Sequence, residues 1–598
     1  VEAYERSGAI LSRVTGVLFN VSETDSDESL QKIVEKVLPM LSEHSNNIFM
    51  NPYFFAKVEK LYKDMDNLGL NQEQKMVLKK MYRSFVKNGV ALDEASQARM
   101  REINKELSSL EFTFGNNLLA ENNAFADRFG LSISEYAGAM ASTQDRALRE
   151  EMFKAYSSRG NNGNEYDNKE LILKIMALRI EKAKLLGYET PAEMILSDKM
   201  AGMPATVDTF LAGLMAPAVV KARGEVADMQ VIMDEDIKAG LLPEGSVIEP
   251  WDWAYYAEKV RKARYALDEE QLRPYFKMEN VRQGVFNTAS RLWGLQFEKL
   301  DSIPVYNPEV EGFKVTDADG SLIGILLTDY FPRSTKRGGA WMNNFVEQKV
   351  IDGVDVRPVI VNVGNFAKPT ADKPSLLTLD QVETMFHEFG HALHGLLSKC
   401  TYGSVAGTSV ARDFVELPSQ IMENWAFQKE VLADYARHYE TGEVIPDSLV
   451  TKINAAETFN QGFMTTELVA ASVLDLKWHM LSELPADADN SFVESFEEAA
   501  CKEMGLIDEI IPRYRTTYFN HIFNSGYSAG YYSYLWAEVL DKDAFELFKQ
   551  KGIFDQSTAA SFRRNILEKG GSDEPMDLYR RFRGADPDPS ALLKSRGL

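Results

Sequence analysis

Three of the seven histidines in this chain, His387, His391 and His394, fall within eight residues. The apolar residues around them recur every three or four positions, which predicts an amphipathic helix; they are Val382, Met385, Phe386, Phe389, Leu393 and Leu396. The spacing of Asp380 and Glu383 is that of a capping box, so we expect the helix to begin near Asp380. On such a helix His387 and His391 lie one turn apart on the same face.

The i, i+4 spacing of His387 and His391 suits a metal ion. Two imidazole nitrogens can reach one ion at about 2.0 to 2.1 Å, and Glu388 lies beside them to hold a water molecule bound to the metal. The segment therefore has the H-E-x-x-H arrangement. The structural alternative is a buried helix whose histidines only pack. A catalytic zinc site also needs a third protein ligand and an open fourth position.

Acidic candidates for the third ligand follow this helix. Asp413 and Glu416 lie 22 and 25 residues beyond His391, and Glu423 lies two turns beyond Glu416. Each offers a carboxylate oxygen, which zinc accepts. The chemistry of these residues alone does not choose between them.

The charge balance excludes a protein that binds nucleic acid by neutralising phosphates. There are 66 Lys and Arg against 89 Asp and Glu, a net charge of −23, whereas such proteins need a basic surface. With only Cys400 and Cys501, no disulfide framework is possible, and a reducing compartment is favoured. A cytoplasmic location is therefore expected. A periplasmic location stays open, because the chain begins with Val1 rather than Met, as expected for a trimmed start.

The pattern of apolar residues predicts a mostly α-helical protein with one small β-sheet. Helical periodicity covers residues 53–126, 143–159, 168–186 and 205–239, and it returns after residue 379. Between Phe313 and Phe366 the pattern instead indicates a hairpin that turns at Asp319-Gly320, followed by a β-branched strand over 356–363. The apolar window from Phe210 to Val220 is shorter than the roughly 20 residues that span a bilayer, so no membrane association is expected.

The longest stretch without Lys, Arg, Asp or Glu runs from Thr516 to Ala537. Its glycines, serines and tyrosines predict a mobile loop that continues into a helix. Such a loop can deliver hydrogen-bond donors once a substrate has bound. A phenol or imidazole donor stabilises the oxyanion that forms during peptide hydrolysis. We therefore regard this stretch as a second candidate part of a site.

Two motifs together resemble those of the thimet-oligopeptidase (M3) family of zinc metallopeptidases: residues 387–394 and the run Arg412-Asp413-Phe414-Val415-Glu416-Leu417-Pro418-Ser419-Gln420. Similar segments occur at residues 250–253, 338–342 and 580–584. The resemblance implies one Zn²⁺ per chain, held by His387, His391 and Glu416. It also implies a large helical zincin-type fold with a deep substrate cleft and the small sheet beside the active-site helix. Residues 1–142 would form a helical part of the cleft wall, and residues 143–598 the catalytic region.

The resemblance also implies which residues act on the substrate. Glu388 would be the general base when metal-activated water attacks the peptide bond. His521, Tyr527 and Tyr534 would stabilise the oxyanion. Asp413 and Glu423 are candidates to orient the ligand imidazoles. For His394, and for the isolated His44, His438 and His479, a supporting or packing role is the simpler interpretation.

Within the family, residues 512–515, 407–409 and the uncharged stretch are most similar to those of bacterial dipeptidyl carboxypeptidases, also called peptidyl-dipeptidases. This implies oligopeptide substrates with a free C-terminus, and we expect a monomer. Arg513 and Arg515 could hold the terminal carboxylate. Residues Gly338 to Met342 are expected to form a strand, in which Gly339 and Ala340 could pair with an extended peptide. One alternative is an oligopeptidase of the same family that cleaves internal bonds. Another is a catalytically silent peptide-binding zinc protein.

Overall fold

A computed structural model describes all residues from Val1 to Leu598. Its α-helices are α1 (Glu2–Glu5), α2 (Ala9–Thr24), α3 (Glu28–Phe49), α4 (Pro52–Lys63), α5 (Gln72–Lys87), α6 (Glu94–Phe129), α7 (Tyr136–Ser142), α8 (Arg146–Ser157), α9 (Lys169–Leu185), α10 (Pro191–Leu196), α11 (Pro204–Lys238), α12 (Trp253–Tyr265), α13 (Glu269–Leu272), α14 (Met278–Trp293), α15 (Leu379–Leu396), α16 (Arg412–Val415), α17 (Leu417–Ala426), α18 (Lys429–Tyr435), α19 (Asp447–Ala455), α20 (Gln461–His479), α21 (Asn490–Glu503), α22 (Asn520–Phe523), α23 (Ser533–Lys551), α24 (Gln556–Phe562), α25 (Pro575–Arg583) and α26 (Ser590–Arg596). Its strands are β1 (Gln296–Leu300), β2 (Glu311–Thr316), β3 (Leu322–Asp329), β4 (Trp341–Val346), β5 (Lys349–Ile351), β6 (Val354–Val356) and β7 (Val359–Val363).

The chain forms two compact units, each assembled from separate stretches of sequence. Unit 1 consists of Val1–Lys105, Glu269–Asp447 and Trp536–Ala591. Unit 2 consists of Glu106–Asp268, Ser448–Leu535 and Leu592–Leu598. The boundary near residue 142 stays a prediction about domain organisation.

Unit 1 contains a mixed five-stranded sheet with the order β1-β2-β3-β7-β4. Strands β2 and β3 pair antiparallel, which confirms the predicted hairpin. Strand β7 pairs parallel with β3 and antiparallel with β4, so β4 is an edge strand. The sequence pattern missed β1 and the separate β5-β6 ribbon, because their residues are mostly half-buried or exposed and show no apolar alternation.

Helix α15 packs against the sheet at β3, β4 and β7 and against α17. Its start differs from the expected one: Thr378 is the N-cap, and its hydroxyl accepts the Gln381 N–H at 3.2 Å. The Gln381 side chain accepts the Thr378 N–H at 3.1 Å in return. The predicted capping pair of Asp380 and Glu383 was wrong. Thr378 has the extended backbone that an N-cap needs, and Asp380 already lies inside the first turn.

Unit 2 is helical, and α11 and α20 pack together at its centre. Met229 and Met233 of α11 join Trp253 and Tyr256 of α12 in one buried apolar cluster. By length and composition alone α11 could cross a membrane, since one window has a mean hydropathy of 1.3, but 33% of that window is buried inside the protein. One side of α11 packs on α20 and α12. The absence of a membrane partner stays a prediction.

Candidate metal centre and active site

Two imidazoles and one carboxylate converge in unit 1. The Nε2 atom of His391 lies 3.0 Å from Oε2 of Glu416, and Nε2 of His387 lies 3.4 Å from the same oxygen. The ligand-type atoms of all three residues lie within 4.8 Å of one another. Ligands that surround zinc tetrahedrally at about 2.0 to 2.1 Å are about 3.3 Å apart. The arrangement therefore fits a single metal ion.

Glu416 lies between α16 and α17 and is almost fully buried, with 1% of its surface exposed. The Ser419 hydroxyl lies 2.8 Å from the backbone oxygen of Glu416 and 3.1 Å from its Oε2, and these two acceptors share its proton. Burial opposes the charged carboxylate, but His391 and His387 hold the pKa of Glu416 well below its ordinary value. The buried charge thus needs the cationic surroundings that a metal site provides.

The glycine of the histidine motif allows α17 to come this close to α15. A Cβ atom on Gly390 would lie 2.1 Å from the carbonyl oxygen of Pro418 and 2.5 Å from Cα of Ser419. No side chain larger than hydrogen fits there without moving the backbone. Gly390 therefore sets the distance between the helix that carries the histidines and the segment that carries Glu416.

Glu423 orients one of the two imidazoles. Its Oε1 atom lies 2.6 Å from Nδ1 of His387, on the side of the ring opposite Nε2. Burial opposes protonation of His387, but Glu416 and Glu423 raise its pKa well above the ordinary value. A metal-bound histidine commonly donates its other N–H to a carboxylate, so this geometry matches the role predicted for Glu423.

Asp413 is fully buried in α16. The Nδ1 atom of His391 has no hydrogen-bond partner, so Asp413 does not hold that nitrogen. An orienting role for Asp413 stays a prediction.

Glu388 has the properties of an acid–base group. It is 7% exposed, and burial raises the pKa of its carboxyl group. Its Oε2 atom is buried without a hydrogen-bond partner, which leaves an acceptor available for water or substrate. Asn362 of β7 donates to the backbone oxygen of Glu388 at 2.7 Å, which ties this turn of α15 to the sheet.

His394, one turn beyond His391 on α15, is fully buried, and neither of its ring nitrogens has a hydrogen-bond partner. Burial lowers its pKa to about 3, so the ring is neutral at physiological pH. It lies outside the cluster of three ligand-type residues. This agrees with the packing role expected for it.

The predicted strand over Gly338 to Met342 begins only at Trp341. Gly339 has φ +94, a conformation that an extended strand does not allow. Asn365 Nδ2 donates to the carbonyl oxygens of Arg337 and Gly339, at 2.9 and 2.6 Å. Gly339 and Ala340 therefore belong to a loop that leads into the edge strand β4.

The end of α2 holds the same loop. Glu23 pairs with Arg337 at 2.9 Å and accepts from Asn343 of β4 at 3.0 Å. The backbone N–H of Arg337 donates to the carbonyl oxygen of Glu23 at 3.0 Å. Segments far apart in the sequence thus fix the loop, which is why sequence reasoning did not find Glu23.

The residues predicted to stabilise an oxyanion lie together in unit 2. The rings of Tyr527 and Tyr534 stack with centroids 5.4 Å apart and planes inclined by 6°. The His521 ring lies 5.8 Å from Tyr527 and 6.3 Å from Tyr534. All three are half-buried, whereas Tyr531 and Tyr532 are buried. Tyr531 and Tyr532 thus pack the core, whereas the rings of His521, Tyr527 and Tyr534 keep accessible surface.

The two candidate arginines differ in their surroundings. Arg515 pairs with the buried Glu497 at 2.5 Å, and Glu497 also accepts the Thr516 N–H at 2.7 Å. Arg513 pairs with Glu467 at 2.8 Å, and 47% of its side chain is exposed. Arg515 therefore supports the local backbone, while Arg513 keeps exposed guanidinium surface.

Comparison with known proteins identifies the family. A sequence profile of Peptidase family M3 matches residues 139–598. The chain belongs to peptidase family M3. It is 37% identical to dipeptidyl carboxypeptidase of Escherichia coli (strain K12), in a match that covers 100% of this chain and 91% of that protein. It is 35% identical to oligopeptidase A of the same strain, over 98% and 91% of the two chains.

A solved structure shows the same fold. The M32 carboxypeptidase from Deinococcus radiodurans R1 superposes with a TM-score of 0.56 at 12% identity, over 98% of this chain and 97% of that one. This M3 peptidase is accordingly a mostly helical metallopeptidase of the zincin type with a small mixed sheet. Membership of the family implies oligopeptide substrates and a divalent metal, for which the group of His387, His391 and Glu416 is the candidate site.

Sequence reasoning about this M3 peptidase missed several supporting residues. Gly390 was visible as a glycine inside a helical pattern, which signals a close approach. Asn362 gave no such signal, because its bond to Glu388 joins separate segments. Ser419 lies in the Glu416 motif, three residues after Glu416, but the motif alone did not show that its hydroxyl contacts Glu416.

Proposed function

We propose that this M3 peptidase is a zinc-dependent peptidyl-dipeptidase that releases C-terminal dipeptides from oligopeptides. The observation that carries the proposal is the convergence of His387, His391 and Glu416 beside the buried Glu388. The identity of 37% with a dipeptidyl carboxypeptidase over the whole chain supports this mode of cleavage.

Zinc is the metal we assign to the site. Two imidazole nitrogens and one carboxylate oxygen form a ligand set typical of catalytic zinc in peptidases. When bound, zinc would polarise the peptide carbonyl and lower the pKa of a water molecule. Glu423 would keep the His387 ring oriented through the bond to Nδ1.

Glu388 moves the proton in the proposed reaction. Its carboxylate takes a proton from the attacking water and passes it to the nitrogen of the leaving amine. Burial raises the pKa of Glu388, which makes its carboxylate a stronger base toward the attacking water. We assign the hydrogen bonds that stabilise the oxyanion to Tyr527, Tyr534 and His521, because the family resemblance implies this role for them.

A peptidase that removes dipeptides must recognise the substrate's terminal carboxylate. A guanidinium group donates two parallel hydrogen bonds to a carboxylate. We assign this role to Arg513 ahead of Arg515, because Arg515 is tied to buried Glu497 and Arg513 has exposed surface. Gly339 and Ala340 remain our candidates for pairing with the peptide backbone.

The test is mass spectrometry of the products from one N-acetylated ten-residue peptide, compared with the same peptide carrying a C-terminal amide. We expect successive loss of two-residue units from the free acid and resistance of the amide. In Arg513→Gln the preference for the free acid should shrink, and Arg6→Gln, which removes an exposed ion pair of unit 1, should leave it unchanged. Equal cleavage of both peptides would contradict the proposed mode.

The second candidate function is cleavage of internal bonds in short peptides. The identity of 35% with oligopeptidase A favours it. It predicts internal fragments from the free acid and the amide alike. Failure to cleave any peptide while zinc is bound would instead support a silent peptide-binding protein.

A further inference from the structure

A carboxylate buried in α20 holds the loop between Tyr527 and Tyr534. Asp475 has 1% of its surface exposed, and it accepts the backbone N–H groups of Ala529 and Tyr531, both at 2.9 Å. The two bonds fix the backbone on either side of Gly530. Hydrogen bonds to a buried charge are among the stronger ones in proteins.

His479, one turn further along α20, holds Asp475 in turn. Its Nδ1 atom lies 2.8 Å from the backbone carbonyl oxygen of Asp475 and 2.9 Å from Oδ1 of the Asp475 carboxylate, and its Nε2 atom lies 2.9 Å from Nη1 of Arg179. A guanidinium group only donates, so Nε2 accepts and the proton of the neutral ring is on Nδ1, where the backbone carbonyl oxygen and the carboxylate of Asp475 share it. The Ala529 N–H also lies 3.3 Å from Nδ1, but the carboxylate is nearer and Nδ1 already carries a proton.

Arg179 is fixed by Glu111, 2.7 Å from its Nη2 atom. Arg179 and His479 are both buried, at 7% and 0% exposure. We call Glu111, Arg179, His479 and Asp475 the loop anchor. All four residues and the loop belong to unit 2.

The loop needs this support because of its backbone. Ala529 has φ +47, in the left-handed region that residues with a Cβ atom rarely adopt. Gly526, three residues earlier, has φ +77. Without bonds to Asp475, Ala529 can relax to an ordinary conformation, and the flanking tyrosines then move with the backbone.

We propose that Asp475 and His479 are positioning residues that hold Tyr527 and Tyr534 in the geometry needed for peptide hydrolysis. The inference rests on the proposed function, since it assumes that these tyrosines act on the substrate. A displacement of about 1 Å in a catalytic group can lower turnover by on the order of 10²-fold. The anchor therefore acts on kcat rather than on substrate affinity or metal binding.

A pair of matched histidine variants tests the chain of bonds. His479→Asn keeps a donor near the position of Nδ1 and loses the contact with Arg179. His479→Gln keeps a group near the position of Nε2 and loses the donor to Asp475. We expect His479→Asn to retain most of kcat and His479→Gln to lose about tenfold. Asp475→Asn should lose on the order of 10²-fold, with KM changed less than threefold.

Hydrogen exchange supplies a readout that does not depend on activity. The amides of Ala529 and Tyr531 should exchange about tenfold faster in His479→Gln and Asp475→Asn than in the unchanged protein or His479→Asn. The control is Asp252→Asn, which removes another fully buried carboxylate of unit 2, one that pairs with Arg146 and Arg149. We expect it to lower the melting temperature without changing kcat or exchange at the loop.

The two readouts separate this inference from the proposed function. If the protein cleaves no peptide, exchange at Ala529 and Tyr531 still tests the anchor. Unchanged exchange in Asp475→Asn would overturn the inference, and so would faster exchange with unaltered kcat. A loss of kcat that follows the melting temperature alone across all variants, Asp252→Asn included, would also overturn it.

Discussion

The metal-ligand cluster of unit 1 and the tyrosine loop of unit 2 are built on different principles. In the cluster, His387 and His391 share one helix, so the helical repeat alone places them on one face. In the loop, Tyr527 lies on irregular backbone and Tyr534 lies in the first turn of α23, and a carboxylate from another helix holds the backbone between them. The comparison teaches that local helix geometry can fix one group of candidate residues while another group depends on tertiary contacts.

Among the variants that test this comparison, the largest expected effect separates the loop tyrosines from their buried neighbours. Tyr527→Phe removes a hydroxyl group that we expect to donate to the oxyanion, so kcat should fall by about 10² to 10³-fold while bound zinc stays unchanged. Tyr531→Phe is the matched control, because Tyr531 is 3% exposed and packs against Phe519. Steady-state kinetics on one peptide measure both variants, and equal losses would remove the distinction.

A smaller effect tests how closely packing controls the cluster. In Gly390→Ala the new methyl group would meet the Pro418 carbonyl, so α17 must move and carry Glu416 away from the histidines. Zinc affinity, measured by competition with a chelator, should fall by about 10²-fold. Gly213→Ala is the control, because a Cβ atom on this helical glycine of unit 2 meets nothing within 4 Å. Full zinc affinity in Gly390→Ala would show that the close approach is not needed.

Loss of the carboxylate that orients His387 should weaken the site less. Glu423→Gln replaces the charged acceptor of the His387 Nδ1–H with a neutral one. We expect zinc affinity to fall by about tenfold, at the lower end of the range for such partners. Glu430→Gln, which alters an exposed ion pair with Arg291, should have no effect in the same titration. An unchanged affinity in Glu423→Gln would exclude the orienting role.

The smallest effect concerns stability in unit 1. Burial raises the pKa of Glu347 to about 7, despite the hydrogen bond from Ser409 and the charge of Lys80. Between about pH 4.5 and 7 the folded protein therefore binds more protons at this group than the unfolded chain does, and the group's contribution to stability falls as pH rises.

Glu347→Gln removes that dependence. At pH 8 the free energy of unfolding of the variant should exceed that of the unchanged protein by about 1 to 3 kcal/mol, and at pH 4.5 the two should differ little. Urea unfolding at both pH values measures this difference. Hydrogen exchange should assign the gain to unit 1, with unit 2 unaffected. An equal gain at both pH values would contradict the raised pKa.

The sequence predicted the cluster well because the helical repeat is local. The apolar stripe around His387 predicted a helix, and α15 confirms it, although its N-cap is Thr378 rather than Asp380. The β2–β3 hairpin was also local, since Asp319-Gly320 marks its turn. Chemistry alone left Glu416 as one of three acidic candidates and the family resemblance selected it; the structure places it against both histidines.

The remaining features could not be predicted because distant segments create them. Glu23 holds a loop more than 300 residues away, and Asp475 accepts amides 54 and 56 residues further on. Neither residue lies in a recognisable motif. The strand expected at Gly338 failed because the backbone of Gly339 turns to a positive φ, which glycine permits and a pattern does not reveal.

The most direct test of the central claim combines metal content with turnover in Glu388→Gln. The claim is that Glu388 transfers the proton and the cluster of His387, His391 and Glu416 holds zinc. We predict one zinc per chain in the variant, as in the unchanged protein, and a kcat reduced by at least about 10³-fold. Turnover close to that of the unchanged protein, with zinc bound, would contradict the account.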